Sequence, residues 1–198
     1  MKITENRMVK KAVIFDGSHS KDSFLSALVN QGEKVLESKG FSVEVLSLRE
    51  MNIASCSGCF HCWLKTPGRC VIKDDGQSIP SAFINSDVAV FISNIMFGGY
   101  DWMLKRAFDR IIPVLLPFFK KVDGEIHHGL RYNNYPHFVS VGVLPFPDSN
   151  QEKIFVTLNQ RNARNFSPPG HSVGVVYENK EVSDDFFYGL LNEAGVNQ

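Results

Sequence analysis

The chain has 198 residues, of which 43% are hydrophobic and 21% charged, and its 21 Lys and Arg balance its 21 Asp and Glu. That length supports one sizeable hydrophobic core, so we predict a single domain over residues 1–198. Balanced charge gives no long-range field for nucleic acid or an anionic membrane, so we expect neither as a partner and favour a small molecule. The polar segment Met1–Lys11 lacks a signal-peptide pattern and no apolar run has membrane-spanning length, so we expect a cytoplasmic protein.

Apolar strand-like runs and helical apolar patterns alternate along the chain. Runs rich in Val, Ile and Phe predict five strands, at residues 11–16, 41–48, 87–92, 137–143 and 172–177. Apolar residues at helical spacing predict helices over residues 25–36, around 79–83, over 103–112 and 149–165, and after Ser183. Strands that alternate with helices indicate an α/β fold: a three-layer, doubly wound, parallel five-stranded sheet with right-handed crossovers.

Residues 117–136 show little periodicity, and we interpret them as an inserted surface loop. Within it, His127, His128 and Arg131 form a polar patch that can carry positive charge. We expect this patch to cover a cofactor or to contact a partner subunit. Adjacent histidine side chains rarely face one ion, so no metal site is expected there.

Ligands of doubly wound sheets bind at the carboxyl ends of the strands, beside the switch in strand order. In this chain that rule selects the loops at residues 17–24, 94–100 and 144–150. The first loop opens a helix, where free backbone N–H groups and the helix dipole favour an anion. It lacks both G-x-G-x-x-G and a P-loop lysine, so a phosphomonoester is favoured over a dinucleotide or a nucleoside triphosphate. The candidate cofactor-binding residues of this loop are Ser18, His19, Ser20, Ser23 and Phe24. In the alternative interpretation, Ser20 or Ser23 simply caps the helix.

A cysteine-rich loop at residues 54–75 contains all four cysteines of the chain. They are Cys56, Cys59, Cys62 and Cys70, the first three at intervals of three residues. A compact C-x2-C-x2-C run is typical of iron-sulfur ligation, whereas structural zinc usually pairs two separated C-x2-C knuckles. The spacing therefore makes these four residues candidate ligands of a [4Fe-4S] cluster beside the cofactor. The alternative is a loop of free thiols or small buried apolar residues. Asp74 and Asp75, at the end of this loop, are predicted to cap the next helix.

Several motifs resemble one known group of proteins. They are Gly17-Ser18 after the first strand, the Cys56–Cys62 run, the segment Cys70–Asp75, and Leu104-Lys105 with Asp109-Arg110. Together they resemble the NADPH-dependent FMN reductase and iron-sulfur flavoprotein group of the flavodoxin-like superfamily, over nearly the whole chain. The resemblance implies a strand order of 2-1-3-4-5 and a homodimer. Lys105 and Arg110 are expected to have structural roles, with Arg110 paired to Asp109 or to a neighbouring carboxylate.

The same resemblance places an FMN phosphate on the loop from Ser18 to Ser23. It places the isoalloxazine ring on Asn94, Ile95, Met96, Phe97, Gly98 and Gly99. Phe97 is expected to cover the ring, although ordinary core packing is the alternative for both Met96 and Phe97. The chain departs from the group's pattern at His19-Ser20, where relatives carry Pro-Arg, at residues 94–96, where they carry Pro-x-Tyr, and at Leu144-Pro145.

The function predicted from these motifs is an FMN-dependent oxidoreductase that takes hydride from NAD(P)H and reduces a quinone, a flavin or another small acceptor. Because the flavin carries the chemistry, no catalytic acid or base is assigned. One alternative is an iron-sulfur flavoprotein that exchanges electrons with a ferredoxin-like partner. A second is a non-catalytic flavodoxin-like protein, which the departures at His19, Asn94 and Leu144 keep open.

Overall fold

The structure is a computed structural model that describes residues 9–21, 23–122 and 124–196. Most of the N-terminal segment discussed above, to Met8, lies outside the described residues, as does Asp22 in the first loop. No helix in these ranges is long and apolar enough to cross a membrane.

The described residues form eight strands and six helices. The strands are β1 (Lys10–Asp16), β2 (Phe41–Ser47), β3 (Val88–Met96), β4 (Gly99–Tyr100), β5 (Leu115–Val122), β6 (Glu125–Leu130), β7 (His137–Leu144) and β8 (His171–Tyr177). The helices are α1 (Phe24–Ser38), α2 (His61–Leu64), α3 (Ile79–Ile84), α4 (Trp102–Asp109), α5 (Ser149–Phe166) and α6 (Asp184–Glu193).

Five long strands form a parallel sheet in the order β2-β1-β3-β7-β8, and short β4 pairs antiparallel with the end of β3. In sequence order these five strands give 2-1-3-4-5, so the predicted doubly wound fold is confirmed. The register places Ile14 beside Val45 on one side and Val90 on the other. Such nearly unbroken apolar strands are stable only when helices cover both faces of the sheet.

Two apolar cores lie on opposite faces of the sheet because side chains alternate along each strand. On one face, α1 and α6 cover a core that includes Ile14, Val90 and Val141. On the other face, α3, α4 and α5 pack on an aromatic core, in which the rings of Phe15 and Phe91 stack with centroids 4.7 Å apart. The cysteine-rich loop described below lies on this second face.

The segment at 117–136 contains an antiparallel β5–β6 hairpin, so its interpretation as an irregular loop is wrong. The register pairs Val122 with Glu125, which leaves a two-residue turn between the strands. An Asp-Gly pair at 123–124 is a strong hairpin signal that sequence reasoning missed. Pro117 and a register shift between Leu115 and Phe119 interrupt the alternation that would otherwise have identified β5.

Asp74 and Asp75 do not cap α3, so that prediction is also wrong. Their carboxylates accept hydrogen bonds from the backbone N–H groups of Ala54 and Asn52, each at 2.7 Å, and so close the cysteine-rich loop. A 3-10 turn over Asp75–Gln77 leads into the helix instead. The two carboxylates therefore shape the loop before them rather than the helix after them.

Candidate functional site

The first loop at the carboxyl edge is organised around a buried carboxylate at the end of β1. Asp16 accepts hydrogen bonds from the Ser18 backbone N–H at 2.8 Å and from Arg49 Nη1 at 2.7 Å. Arg49 also donates to the Ser18 hydroxyl, which is fully buried. Sequence reasoning missed Arg49, although its place just after β2, the neighbour of β1, was a usable signal.

The other candidate residues of this loop are of two kinds: Ser23 and Phe24 have structural roles, whereas His19 and Ser20 are exposed. Ser23 caps α1, as the alternative interpretation predicted: its hydroxyl accepts from the Ser26 N–H at 3.1 Å and donates to the Ser20 carbonyl at 2.8 Å. Phe24 packs against the apolar core beneath α1. His19 and Ser20 stay exposed at the top of the loop. Their predicted contacts with a phosphate stay a prediction.

His19 connects the first loop to the second. Its Nε2 lies 3.0 Å from Asp101 Oδ2, and the Asp101 side chain is almost fully buried. Asp101 also caps α4, accepting from the Met103 N–H at 2.8 Å. The Trp102 ring lies beside the His19 ring, at 6.0 Å between centroids. The first turn of α4 is thereby fixed against the loop that follows β1.

The second loop is a tight β-hairpin rather than an open loop, because β3 continues to Met96 and β4 returns from Gly99. Its two central residues have positive φ, 52° at Phe97 and 78° at Gly98, which is the requirement of a type I′ turn. Phe97 is 92% exposed and Met96 50% exposed, so the core-packing alternative is wrong for both. Ile95 is buried in the core, and the Asn94 carbonyl accepts from the Asp101 N–H at 3.1 Å.

The first two turns of α5, which follow the third loop, support the tip of this hairpin from the side. A Cβ atom on Gly98 would lie 2.5 Å from Ile154 Cγ2, so only glycine allows the turn to approach α5 this closely. The Gly98 N–H donates to Gln151 Oε1 at 3.3 Å. Asp148 caps α5, and Phe146 stays exposed beside it. Met96, Phe97 and Phe146 therefore form an exposed apolar rim at the carboxyl ends of β3 and β7.

The four cysteines line one cavity of about 370 Å³, between the cysteine-rich loop and the C-terminal ends of α4 and α5. Cys56 and Cys59 are exposed, Cys70 is half-buried and Cys62 is buried. Burial and the neighbouring thiols raise the pKa of Cys62. Hydrogen bonds from the His61 backbone and the Ser57 hydroxyl lower the pKa of Cys59. The four cysteines therefore share one cavity, and their ligation of a cluster stays a prediction.

This cavity is bounded by a buried ion pair. Arg110 donates two hydrogen bonds to the Asp74 carboxylate, at 2.7 and 2.8 Å, and a third to the Ala54 carbonyl at 2.7 Å. The guanidinium holds the pKa of Asp74 below its usual range. Asp109 pairs instead with Lys105, one turn away on the exposed side of α4, so the neighbouring carboxylate is the correct one of the two predicted partners.

Within one chain the cysteine cavity and the three loops meet opposite ends of α4, and the predicted placement of a cluster beside the cofactor stays a prediction. The loops meet the N-terminal end of α4 at Trp102, whereas the cavity meets its C-terminal end at Asp109 and Arg110. At 1.5 Å per residue, an eight-residue helix separates the two regions by about 12 Å.

The polar patch of the hairpin contacts its own chain. His127 lies 2.9 Å from the Asn165 side chain, and Arg131 donates to the carbonyls of Pro113 and Leu115. The His128 ring packs between Trp63 and Phe119. In residues 9–21, 23–122 and 124–196, no three His, Cys, Asp or Glu side chains are arranged to hold a single metal ion.

Comparison with known proteins adds family evidence to this geometry. A family model described as NADPH-dependent FMN reductase matches residues 10–127. An iron-sulfur flavoprotein from Methanocaldococcus jannaschii is 29% identical over 125 residues, which cover 62% of this chain and 64% of that protein. The chain thus spans less than two thirds of the length of that relative.

Solved structures with the same fold include two flavodoxin-like reductases. An NAD(P)H:quinone oxidoreductase from Methanothermobacter marburgensis superposes with a TM-score of 0.62 at 13% identity, covering 94% of each chain. An FMN-dependent NADH-azoreductase from Bacillus anthracis, in complex with FMN, gives 0.61 at 11% identity, again covering 94% of each chain. At these identities the likeness extends to the fold alone.

Proposed function

The chain belongs to the NADPH-dependent FMN reductase family, and on that premise we propose that it binds FMN at the carboxyl ends of β1, β3 and β7 and uses NAD(P)H to reduce a small acceptor. The observation that carries the proposal is the exposed, left-handed turn at Phe97-Gly98. A non-glycine residue with positive φ costs free energy, and such strain is typical of ligand sites.

The side chains around this turn fit the two ends of a flavin mononucleotide. Met96, Phe97 and Phe146 offer exposed apolar surface to a flat aromatic ring. Exposed His19 and Ser20 stand at the start of α1, where a phosphate is favoured by donors and by the helix dipole. The nearby carboxylates of Asp16 and Asp101 are buried; the Arg49 guanidinium offsets the charge of Asp16, and Asp101 lies against His19.

In the proposed mechanism, FMN supplies hydride and electron transfer at its ring. The protein binds and orients. Phe97 would lie against the ring and exclude water from it, and the His19–Asp101 contact holds the first and second loops at the carboxyl edge in a fixed relation. No described side chain is assigned a proton transfer, and quinones, free flavins and azo compounds are the acceptors to test first.

An FMN titration of flavin-free protein tests this proposal. We expect quenching of flavin fluorescence with a saturable curve, and roughly tenfold weaker binding in Phe97→Ala, because a stacked aromatic contact contributes about 1 kcal/mol or more. Phe118→Ala is the matched control, since that side chain is also exposed but lies on the β5–β6 hairpin. Absence of FMN binding by the unmodified protein would contradict the proposal and favour the non-catalytic alternative.

A second function, that of an iron-sulfur flavoprotein, is favoured by one specific observation: all four cysteines face the same cavity. Cys56, Cys59, Cys62 and Cys70 would hold the cluster. A cluster is larger than an ion and takes its ligands farther apart, so the lack of a single-ion site among the described side chains does not conflict with it. In this function a ferredoxin-like protein would exchange electrons with the cluster.

Anaerobic reconstitution with iron and sulfide tests this second function. We expect four iron atoms and four sulfides per chain, with broad visible absorption that Cys59→Ala removes and Lys65→Ala, an exposed position in the same loop, leaves intact. Protein that takes up no iron would contradict it. The predicted homodimer is checked on the same sample by light scattering, where a monomeric mass would contradict it.

A further inference from the structure

A buried guanidinium lies against the cysteine cavity. Arg110 lines that cavity and is only 1% exposed. Its two terminal nitrogens bond to Asp74 and Ala54, while Nε is buried and has no hydrogen-bond partner among the described residues. Arg110 is thus a buried cation with an unpaired Nε donor next to four cysteine sulfurs, which indicates a role beyond stabilising the end of α4.

The sulfurs of this cavity repel one another electrostatically once they carry negative charge. All four cysteines line the same cavity as Arg110, and the guanidinium is buried, so little water screens its charge from the sulfurs. Arg110 is therefore placed to offset their negative charge.

Asp74 acts on the same charge in the opposite direction. Its carboxylate takes a bidentate pair of bonds from Arg110, which neutralises part of the positive charge that the cavity experiences. The pair is also held in place sterically, because a Cβ atom on Gly76 would lie 2.8 Å from Arg110 Cζ. The position of the guanidinium relative to the sulfurs is thus fixed rather than adjustable.

We propose that Arg110 is the counter-cation of the cysteine cavity, and that Arg110 and Asp74 together set the reduction potential of the cluster bound there. The inference rests on the second function proposed above. Reduction adds one electron to the cluster and makes it one unit more negative, with no bond formed or broken. A fixed positive charge favours that reduced state, and a fixed negative charge disfavours it.

Opposite shifts in two variants test the proposal. In the reconstituted protein, with dithionite as reductant and mediators fixing the solution potential, Arg110→Gln should lower the ratio of reduced to oxidised cluster about tenfold. Asp74→Asn should raise it by a similar factor, and tenfold corresponds to about 59 mV for a one-electron couple. The reduced cluster is counted by electron paramagnetic resonance, which does not depend on turnover.

Three further variants show whether a changed ratio of reduced to oxidised cluster results from the changed charge or from a loss of folding. Arg110→Lys keeps the charge and should keep the unmodified ratio, and Lys105→Gln, on the exposed side of α4, should not change it. The double variant Asp74→Asn with Arg110→Gln removes both charges, so neither is left buried without its partner. Its ratio of reduced to oxidised cluster should lie between those of the two single variants.

The possible outcomes distinguish the proposed role of Arg110 from the presence of the cluster, on which that role depends. A cluster that assembles in every variant with an unchanged ratio would overturn the role of Arg110 and leave the cluster in place. Equal shifts of the same sign in Arg110→Gln and Asp74→Asn would point to a merely structural pair, and also overturn it. Unmodified protein with no iron and no sulfide would overturn the cluster, and the proposal with it.

Discussion

The loops at the carboxyl edge and the cysteine cavity hold their functional side chains in opposite ways. The edge loops present exposed apolar side chains on a tight, strained turn, supported by backbone contacts with α5. The four cysteines of the cavity instead lie on a cysteine-rich loop that the buried Arg110–Asp74 pair holds in place. The first region is an exposed apolar surface on a strained turn, and the second is a cavity bounded by a buried ion pair.

Breaking the buried pair should give the largest effect on stability. We expect Arg110→Ala to lower the free energy of unfolding by about 3–5 kcal/mol, because it leaves the Asp74 carboxylate buried and unpaired. Lys105→Ala removes an exposed pair on the same helix and should cost about 0.5 kcal/mol or less. Urea unfolding measures both. Equal small losses would mean that the cavity is not fastened by this pair.

At the edge loops, the largest effect should come from the glycine of the turn. Gly98→Ala combines a left-handed φ with a Cβ placed 2.5 Å from Ile154, so we expect a loss of about 2 kcal/mol and weaker FMN binding. Gly40→Ala has nearly the same φ, +83°, with no atom within 4 Å of the added Cβ. It should cost only about 1 kcal/mol, with FMN binding unchanged. Identical results for the two variants would remove the close approach to α5 as a cause.

Phe97→Gly should separate binding from stability at the same turn. Glycine relieves the positive φ of 52°, so the free energy of unfolding should change by less than about 1 kcal/mol. FMN binding should nevertheless weaken, because the exposed ring is lost. Thermal unfolding and an FMN titration of the same sample measure the two quantities. Unchanged FMN affinity would exclude Phe97 from the ring site.

The smallest effect should appear at the β5–β6 hairpin as the solution is acidified. Hydrogen bonds from Arg161, joined by His127 and Arg164, lower the pKa of Glu125 to about 2 from a reference of 4.5. Because the folded pKa is depressed, this stabilisation is complete above pH 4.5 and is lost as the pH falls towards 2. The protection factors of the hairpin amides, which correct for the intrinsic pH dependence of hydrogen exchange, should therefore fall in that window. Glu125→Gln should abolish this pH dependence, and persistence of the dependence would assign it to another group.

The strands and most helices could be predicted from the sequence because their signals are local. Buried parallel strands form continuous apolar runs, and the cap Ser23 stands next to the helix that it begins. The hairpin was missed because Pro117 and the register shift broke its alternation. The end of α4 was placed too late, since apolar Ile111 and Ile112 continue its pattern beyond the last helical residue, Asp109.

The site was predictable in its location and less so in its contacts. Topology located the three loops, and spacing located the cysteines. The pairs Arg49–Asp16 and Arg110–Asp74 join residues 33 and 36 positions apart, and no periodic pattern specifies such partners. The exposure of Phe97 depends on a turn two residues long, and an apolar residue there is equally compatible with the core.

Helix α4 connects the edge loops and the cysteine cavity as a short, rigid element. Its first turn is bonded to the loop after β1 through Asp101 and His19, and the residue that follows its last turn, Arg110, is bonded to the cysteine-rich loop through Asp74. Both bonds act on one body, so neither end can shift alone. Binding at the two ends is therefore reciprocal. A ligand that shifts α4 from one end changes the affinity of the other end for its own ligand by some factor, and that second ligand changes the affinity for the first by the same factor.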